Sequence, residues 1–242
     1  MSETEAQGRS DGRRADQPRP LRLERGVSEY AEGSCLISVG RTRVLCTASV
    51  QSGVPGWRRG SGEGWVTAEY AMLPRATHDR NRRARAQVGG RTQEIPRLIG
   101  RSLRACVDMR ALGEWTVTVD CDVLQADGGT RTASITGGAV ALYDACRWIA
   151  ERSGSPSAFR EFVAAVSGGI VGGQMLLDLA YVEDSAADVD LNLVARESGG
   201  IIEIQGTGER TDFTPAQLAQ MVEMLAGSIR GLVAAQRAAV EG

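Results

Sequence analysis

The chain has 242 residues, 42% hydrophobic and 24% charged, which is enough to bury a core. No run reaches the roughly 18 uninterrupted apolar residues that a membrane span needs. All 28 basic residues are arginine, which excludes chemistries built on lysine: a Walker-type phosphate loop, a protein kinase and a Schiff-base enzyme.

Residues 1–18 read as a flexible polar arm and 19–242 as a single domain. After the arm, Ser34 to Val39 and Arg43 to Val50 alternate apolar and polar residues around Gly40-Arg41-Thr42, the pattern of a β-hairpin. A Gly-rich loop, Gly53 to Gly64, leads to a strand from Trp65 to Met72. From Thr92 to Leu112 the period becomes helical through Ile95, Leu98, Ile99, Leu103, Cys106 and Val107, and Gly113 ends the run. Trp115 to Leu124 alternates as a strand, Gly128-Gly129 turns, and Ala133 to Ala150 is apolar and helical. Phe162 to Val171, Gln174 to Val182, Val189 to Val194 and Gly200 to Gln205 are short β-rich runs that suggest a meander. A final helix opens at Thr214 as N-cap, with Pro215 at its first position and Gln217 closing a capping box. The fold class is α/β, with helices packed on antiparallel or mixed sheets.

Five cysteines (Cys35, Cys46, Cys106, Cys121, Cys146) lie far apart in apolar contexts, and His78 is the one histidine. Their spacing argues against a disulfide framework or a Cys/His zinc site and for buried thiols. The polar, Arg-rich stretch Met1 to Arg25 and the lack of a long apolar run read as a cytoplasmic protein with no membrane partner. The net charge of −2 hides a split: residues 1–110 hold 20 arginines against 12 acids, residues 111–242 hold 8 against 18. A basic surface for a polyanion beside an acidic, metal-holding region is one reading of that split, and ordinary solvated charge is the other.

Three constellations carry chemistry. Arg75, Arg80, Arg82, Arg83, Arg85 and Arg91, with His78 among them, lie between a strand and a helix. Guanidinium forks match phosphate oxygens and stay charged, so such a loop can track successive backbone phosphates of a single strand without reading sequence. A solvated loop is the alternative. The second is Asp127-Gly128-Gly129-Thr130-Arg131-Thr132-Ala133-Ser134, where glycines expose amides and Thr130, Thr132 and Ser134 add hydroxyls at a helix N-terminus. That suits one small oxyanion; an ordinary capped turn is the alternative. The third is acidic: strand alternation puts Asp188, Asp190 and Asn192 on one face, and a fold-back at Ser185 to Ala187 brings Asp184 toward Asp190. Paired carboxylates there serve general acid/base work or one Mg²⁺, unless they are merely solvent-facing acids on an edge strand.

Read together, Gly64-Trp65-Val66-Thr67-Ala68-Glu69-Tyr70, Leu73-Pro74-Arg75-Ala76-Thr77-His78, Gly89-Gly90-Arg91-Thr92, Cys121 to Ser134, Tyr181 to Ala187 and Gln205-Gly206-Thr207 resemble the ribonuclease PH family, from about Arg9 to the final helix. The resemblance implies the ribonuclease PH fold, related to a domain of ribosomal protein S5. It implies a phosphate-dependent 3′-to-5′ exoribonuclease that trims transfer RNA precursors and other RNA 3′ ends, releases nucleoside diphosphates and runs backwards as a nucleotidyltransferase. It assigns Arg91, Gly129, Thr130 and Arg131 to phosphate, Asp184 and Asp190 to catalysis and a divalent metal such as Mg²⁺, and Arg75, Arg80 and Arg83 to RNA. It also implies a homohexamer built as a trimer of dimers. One departure from the family pattern is the stretch Ala84 to Val88, which is short and free of lysine. A non-catalytic RNA-binding ring subunit, a polynucleotide phosphorylase and a hydrolytic nuclease are the competing readings. The intact phosphate and acid motifs speak against the first and third, and the single domain against the second.

Overall fold

The computed structural model describes residues 9–82 and 94–242. Two sheets enclose one long helix. The first sheet has the order β1-β2-β3-β5-β4, from β1 (Leu21–Arg25), β2 (Gly33–Val39), β3 (Thr42–Ser52), β4 (Trp65–Met72) and β5 (Trp115–Gln125). The hairpin turns at Gly40, where a positive φ suits glycine. All its pairings are antiparallel except β4 with β5, whose parallel register requires the helical crossover between them.

That crossover is shorter than its periodicity predicts. α1 (Glu94–Arg104) buries Leu98, Ile99 and Leu103, and α2 (Met109–Leu112) is a separate turn. The helix breaks because the chain around Val107 pairs instead with Phe159, with Asp108 N and Arg160 N donating to Ala158 O and Cys106 O. Asp108 then caps α2, accepting from Arg110 N and Ala111 N.

α3 (Thr130–Ser153) is buried on every face through its first half, because the first sheet covers one side and the second sheet the other. Close approach is built into its glycines: a Cβ on Gly137 would stand 2.7 Å from Ile37 Cγ2. The second sheet, order β7-β6-β8-β9, is antiparallel and made of β6 (Val163–Val171), β7 (Gln174–Leu177), β8 (Val189–Arg196) and β9 (Ile201–Gly208). It is not the meander expected, because the chain that leaves β7 returns as β8 beside β6 and leaves β7 at the edge. β7 stops five residues before the end its composition suggests. Asp178 takes a left-handed φ of 53° and the chain enters a single turn, α4 (Tyr181–Asp184).

α5 (Pro215–Glu241) has the predicted capping box and proline. It is long and apolar enough, by length and composition, to cross a membrane. Here it lies along the second sheet, with Met221, Leu225, Ile229 and Val233 buried at helical spacing and Gln236 donating to Thr136 O and Val163 O. One continuous core runs from Cys35 to Val233 through both sheets, and all five cysteines are buried in it.

Candidate active site

The parallel strands β4 and β5 end side by side, and such paired C-terminal ends are where open α/β sheets place ligands. The arginine loop leaves β4 and the Gly128-Gly129 loop leaves β5. They are pinned together where Ala126 N donates to Ala76 O at 2.8 Å, with Ala76 itself buried. Across from them stand α4 and the start of β8. These segments bound a cleft of about 750 Å³ that is lined by Arg41, Arg75, Thr77 and His78, by Asp127 to Arg131, and by Ser167, Tyr181, Asp184, Asp190 and Asn192.

Of the predicted site residues, Arg75, Gly129, Thr130, Arg131, Asp184 and Asp190 therefore share one cleft. Arg80 is described but lies on the exposed loop outside the lining. Arg83 and Arg91 fall outside the described residues, as does the Ala84 to Val88 departure.

The glycine loop has a left-handed conformation at both residues, with φ of 79° at Gly128 and 67° at Gly129. A Cβ on Gly128 would lie 2.5 Å from Leu179 O and 2.9 Å from Tyr181 N, so only glycine lets this loop sit against the α4 segment. Gly129 caps α3, which aims that helix's N-terminal amides and partial positive charge at the cleft. The hydroxyls are divided differently from expectation. Thr132 Oγ1 donates to Gly129 O and Ser134 Oγ to Thr130 O, so both are turned back onto the helix backbone. Thr130 alone faces the cleft, its Oγ1 2.8 Å from Tyr70 Oη.

Behind the loop lies a cluster invisible to sequence reading. Residues 9–18, expected as a flexible arm, are docked from Arg9 onward. Arg9 grips Glu183 through two 2.6 Å hydrogen bonds and also donates to Leu177 O and Asp178 O. Arg19 binds both oxygens of Asp178 and donates to Asp127 O and Gly128 O. Arg13 donates to Asp178 O. Arg9, Arg13, Arg19, Asp178 and Glu183 are all buried. Arg9 and Arg13 thus fasten the N-terminal segment to the stretch that carries Asp184, while Arg19 ties that stretch to the anion loop and holds Asp178 in its left-handed conformation.

The acids respond to this setting. Asp190 is pushed up to about 6, first by burial and then by the negative charge of Asp184, against the pull of Arg131. Asp184 is also raised, by desolvation, although Arg131 and Arg19 draw it back down. Asn192 Nδ2 donates to Asp190 Oδ2 at 3.3 Å. Asp188, the third acid predicted on this face, instead accepts from Gly172 N and is not in the lining. Two crowded carboxylates with a neighbouring amide, opposite an arginine and a helix N-terminus, are an oxygen donor set that fits Mg²⁺ completed by water and phosphate. Among the described residues no group of three or more His, Cys, Asp or Glu side chains suits a metal, so a cage made wholly of protein is not on offer there.

Tyr70, Arg19, Arg41, Ser167 and Tyr181 had no role in the sequence reading. Tyr70 had a signal, since it continues the inward face of Val66 and Ala68 at the end of β4. Arg19 had none, its partner Asp178 being 159 residues away.

Comparison with known proteins agrees with this geometry. The model of the 3′ exoribonuclease family, domain 1, matches residues 17–147, and that of domain 2 matches residues 161–224. Proteins called ribonuclease PH are similar along nearly their whole length. The one from Frankia casuarinae is 56% identical, covering 97% of this chain and 94% of its own. That from Mycolicibacterium smegmatis is 54% identical (96% and 92%), and that from Methylorubrum populi 57% (96% and 99%). Among solved structures, a chain of the Archaeoglobus fulgidus exosome with RNA bound to the active site superposes with a TM-score of 0.79 at 24% identity, covering 93% of this chain and 91% of its own. Rice Rrp46 gives 0.79 at 20% identity (97% and 100%) and, like the exosome chain, bears on the fold alone. With both family models matched and more than half of its residues identical to those of ribonuclease PH proteins, this chain belongs to the ribonuclease PH branch of the 3′ exoribonuclease family.

Proposed function

We propose that the cleft performs phosphorolysis: the protein is a phosphate-dependent 3′-to-5′ exoribonuclease that trims transfer RNA precursors and releases nucleoside diphosphates. The observation that carries this reading is the meeting of the Gly129-Thr130-Arg131 anion loop with Asp184 and Asp190 in one cleft. A phosphate oxygen attacks the phosphorus of the last phosphodiester, and the bond from that phosphorus to the penultimate 3′ oxygen breaks. The products are a nucleoside diphosphate and an RNA one residue shorter with a free 3′-hydroxyl. The proton carried by hydrogen phosphate suffices for the leaving 3′ oxygen, so the chain needs no histidine base, and its one histidine, His78, is fully exposed on the loop. The new bond is a phosphoanhydride, which keeps the reaction close to reversible and allows nucleotidyl transfer in the other direction.

In this reading the amides at Gly129 and Thr130 and the guanidinium of Arg131 hold and orient the attacking phosphate, with Arg91 completing that site. Asp184 and Asp190 are the catalytic carboxylates and would hold Mg²⁺. The ion, when bound, offsets charge on the scissile phosphoryl group and the leaving oxygen. Arg75, Arg80 and Arg83 grip the RNA backbone approaching the cleft. Supporting this, Arg75 lines the cleft and Arg80 is exposed on the same loop. We also take residues 19–242 as one domain, on the strength of the continuous core, and the protein as cytoplasmic, in keeping with five free thiols. A homohexamer, as a trimer of dimers, would let one subunit's arginine loop extend the RNA path of another; elution at the size of one chain at physiological salt would end that proposal. The activity is tested by incubating protein, Mg²⁺ and 3′-extended RNA with and without phosphate and identifying the nucleotides released.

A further inference from the structure

Ser167 stands on the central strand β6 at the floor of the cleft. It is 5% exposed, and its Oγ has no hydrogen-bond partner among the described residues. A buried hydroxyl left unsatisfied is unfavourable for the fold, so stability does not account for a serine here. Its neighbours point to what would satisfy it. Ser167 Oγ lies 3.8 Å from the place a Cβ on Gly129 would occupy, beside the N-terminus of α3, so glycine at 129 packs no side chain onto the hydroxyl. Across the ladder Ser167 pairs with Asn192, and the next inward pair joins Gly169 to Asp190. The hydroxyl therefore sits between the anion loop and the acidic pair. Of the other hydroxyls near it, Thr132 and Ser134 are already used by backbone carbonyls.

We propose that Ser167 Oγ donates a hydrogen bond to the inorganic phosphate held at Gly129-Thr130-Arg131, making Ser167 a substrate-binding residue of the phosphorolytic site. In the reverse direction the same bond goes to the terminal phosphate of the nucleoside diphosphate. This rests on the function proposed above, and adds a donor that comes from the second sheet. Phosphate bound in this way is held from both sides: by the glycine loop and the N-terminus of α3, and by β6 of the second sheet.

The test compares the full-length protein with its Ser167→Ala variant. Loss of a hydrogen bond to a charged oxygen should raise KM for phosphate by about 10–100-fold, with KM for RNA at saturating phosphate changed by less than about threefold. KM for nucleoside diphosphate in the reverse reaction should rise in step. Without phosphate the melting temperature should stay level or rise, because an unsatisfied hydroxyl has been removed, while the stabilisation produced by added phosphate should shrink. An unchanged phosphate KM overturns the proposal. So does a rise in RNA KM alone, which would give the hydroxyl to the scissile phosphodiester, and so does a fall in the phosphate-free melting temperature with unaltered kinetics. If the unmodified protein itself shows neither phosphate-dependent release nor stabilisation by phosphate, the parent reading of the site fails, and the assignment of Ser167 with it.

Discussion

Replacing Glu183 by glutamine isolates what the N-terminal segment does for the site. In the native protein Arg9 meets both carboxylate oxygens of Glu183 at 2.6 Å, Arg13 approaches to 3.5 Å, and the side chains of Arg9 and Glu183 are 3% and 8% exposed. Removing one member of a buried pair leaves the opposite charge without compensation, at a cost of about 3–5 kcal/mol. For a protein of this size that is a fall of about 6–20 °C in melting temperature. Glu183→Gln should therefore lower the urea midpoint strongly with an unchanged slope. It should also lower kcat, because the next residue is Asp184. The double variant Arg9→Met/Glu183→Leu should cost clearly less than the sum of its single changes, since neither charge is then left alone. An internal control is Asp16→Asn, whose partner Arg14 is solvated: with exposures of 75% and 67%, that pair should be worth less than about 0.5 kcal/mol. If Glu183→Gln were as mild as Asp16→Asn, the clamp would not hold the catalytic segment. The pH response has a definite sign. Burial tends to raise the Glu183 carboxyl, but hydrogen bonds from Arg9 and Ala180 N outweigh it and lower it below its ordinary 4.5. Its contribution is accordingly present above about pH 4.5 and lost as pH falls through the lower folded value.

Three other outcomes follow from the site geometry. Gly128→Ala forces a side chain into a left-handed φ and against Leu179 O, so it should cost about 1–2 kcal/mol from φ alone, more from the clash, and most of the activity; Gly129→Ala has the same left-handed cost and presses on Arg19 Nη2, which is held by Asp178, so it too should lower the urea midpoint. Asp190→Asn should abolish RNA shortening yet raise the metal-free melting temperature at pH 7.5. Because the carboxyl is raised from 3.8 to about 6, its ionisation destabilises the fold as pH rises through that window, and the gain over the parent protein should fade by pH 4. Arg131→Met should raise KM for phosphate and move the acid limb of the pH–rate profile upward, since Arg131 lowers both Asp184 and Asp190; an unmoved limb would separate the acids from Arg131.

Local signals carried much of the fold. Thr214, Pro215 and Gln217 announce α5, and Gly40 with flanking alternation announces the β2–β3 hairpin, because capping and strand pairing are decided within a few residues. The errors arose where a distant partner decides. Helical spacing ran through Ala105 to Asp108, but pairing of Val107 with Phe159 broke the helix there. The strand ending at Leu177 was cut by Asp178, whose conformation depends on Arg19. Within the site, residue identity found Thr130, Arg131, Asp184 and Asp190 and the fold brought them together. It could not distinguish Thr130, which faces the cleft, from Thr132 and Ser134, which bond the helix backbone. It also had no means of seeing that Arg9, read as part of a loose arm, is bound to a carboxylate 174 residues away.

The most direct test of the whole account is the identity of the nucleotide released from a 3′-extended RNA when phosphate is added or withheld in the presence of Mg²⁺. Nucleoside diphosphates that appear with phosphate and vanish without it are the predicted result; nucleoside monophosphates released at the same rate in both conditions would contradict it.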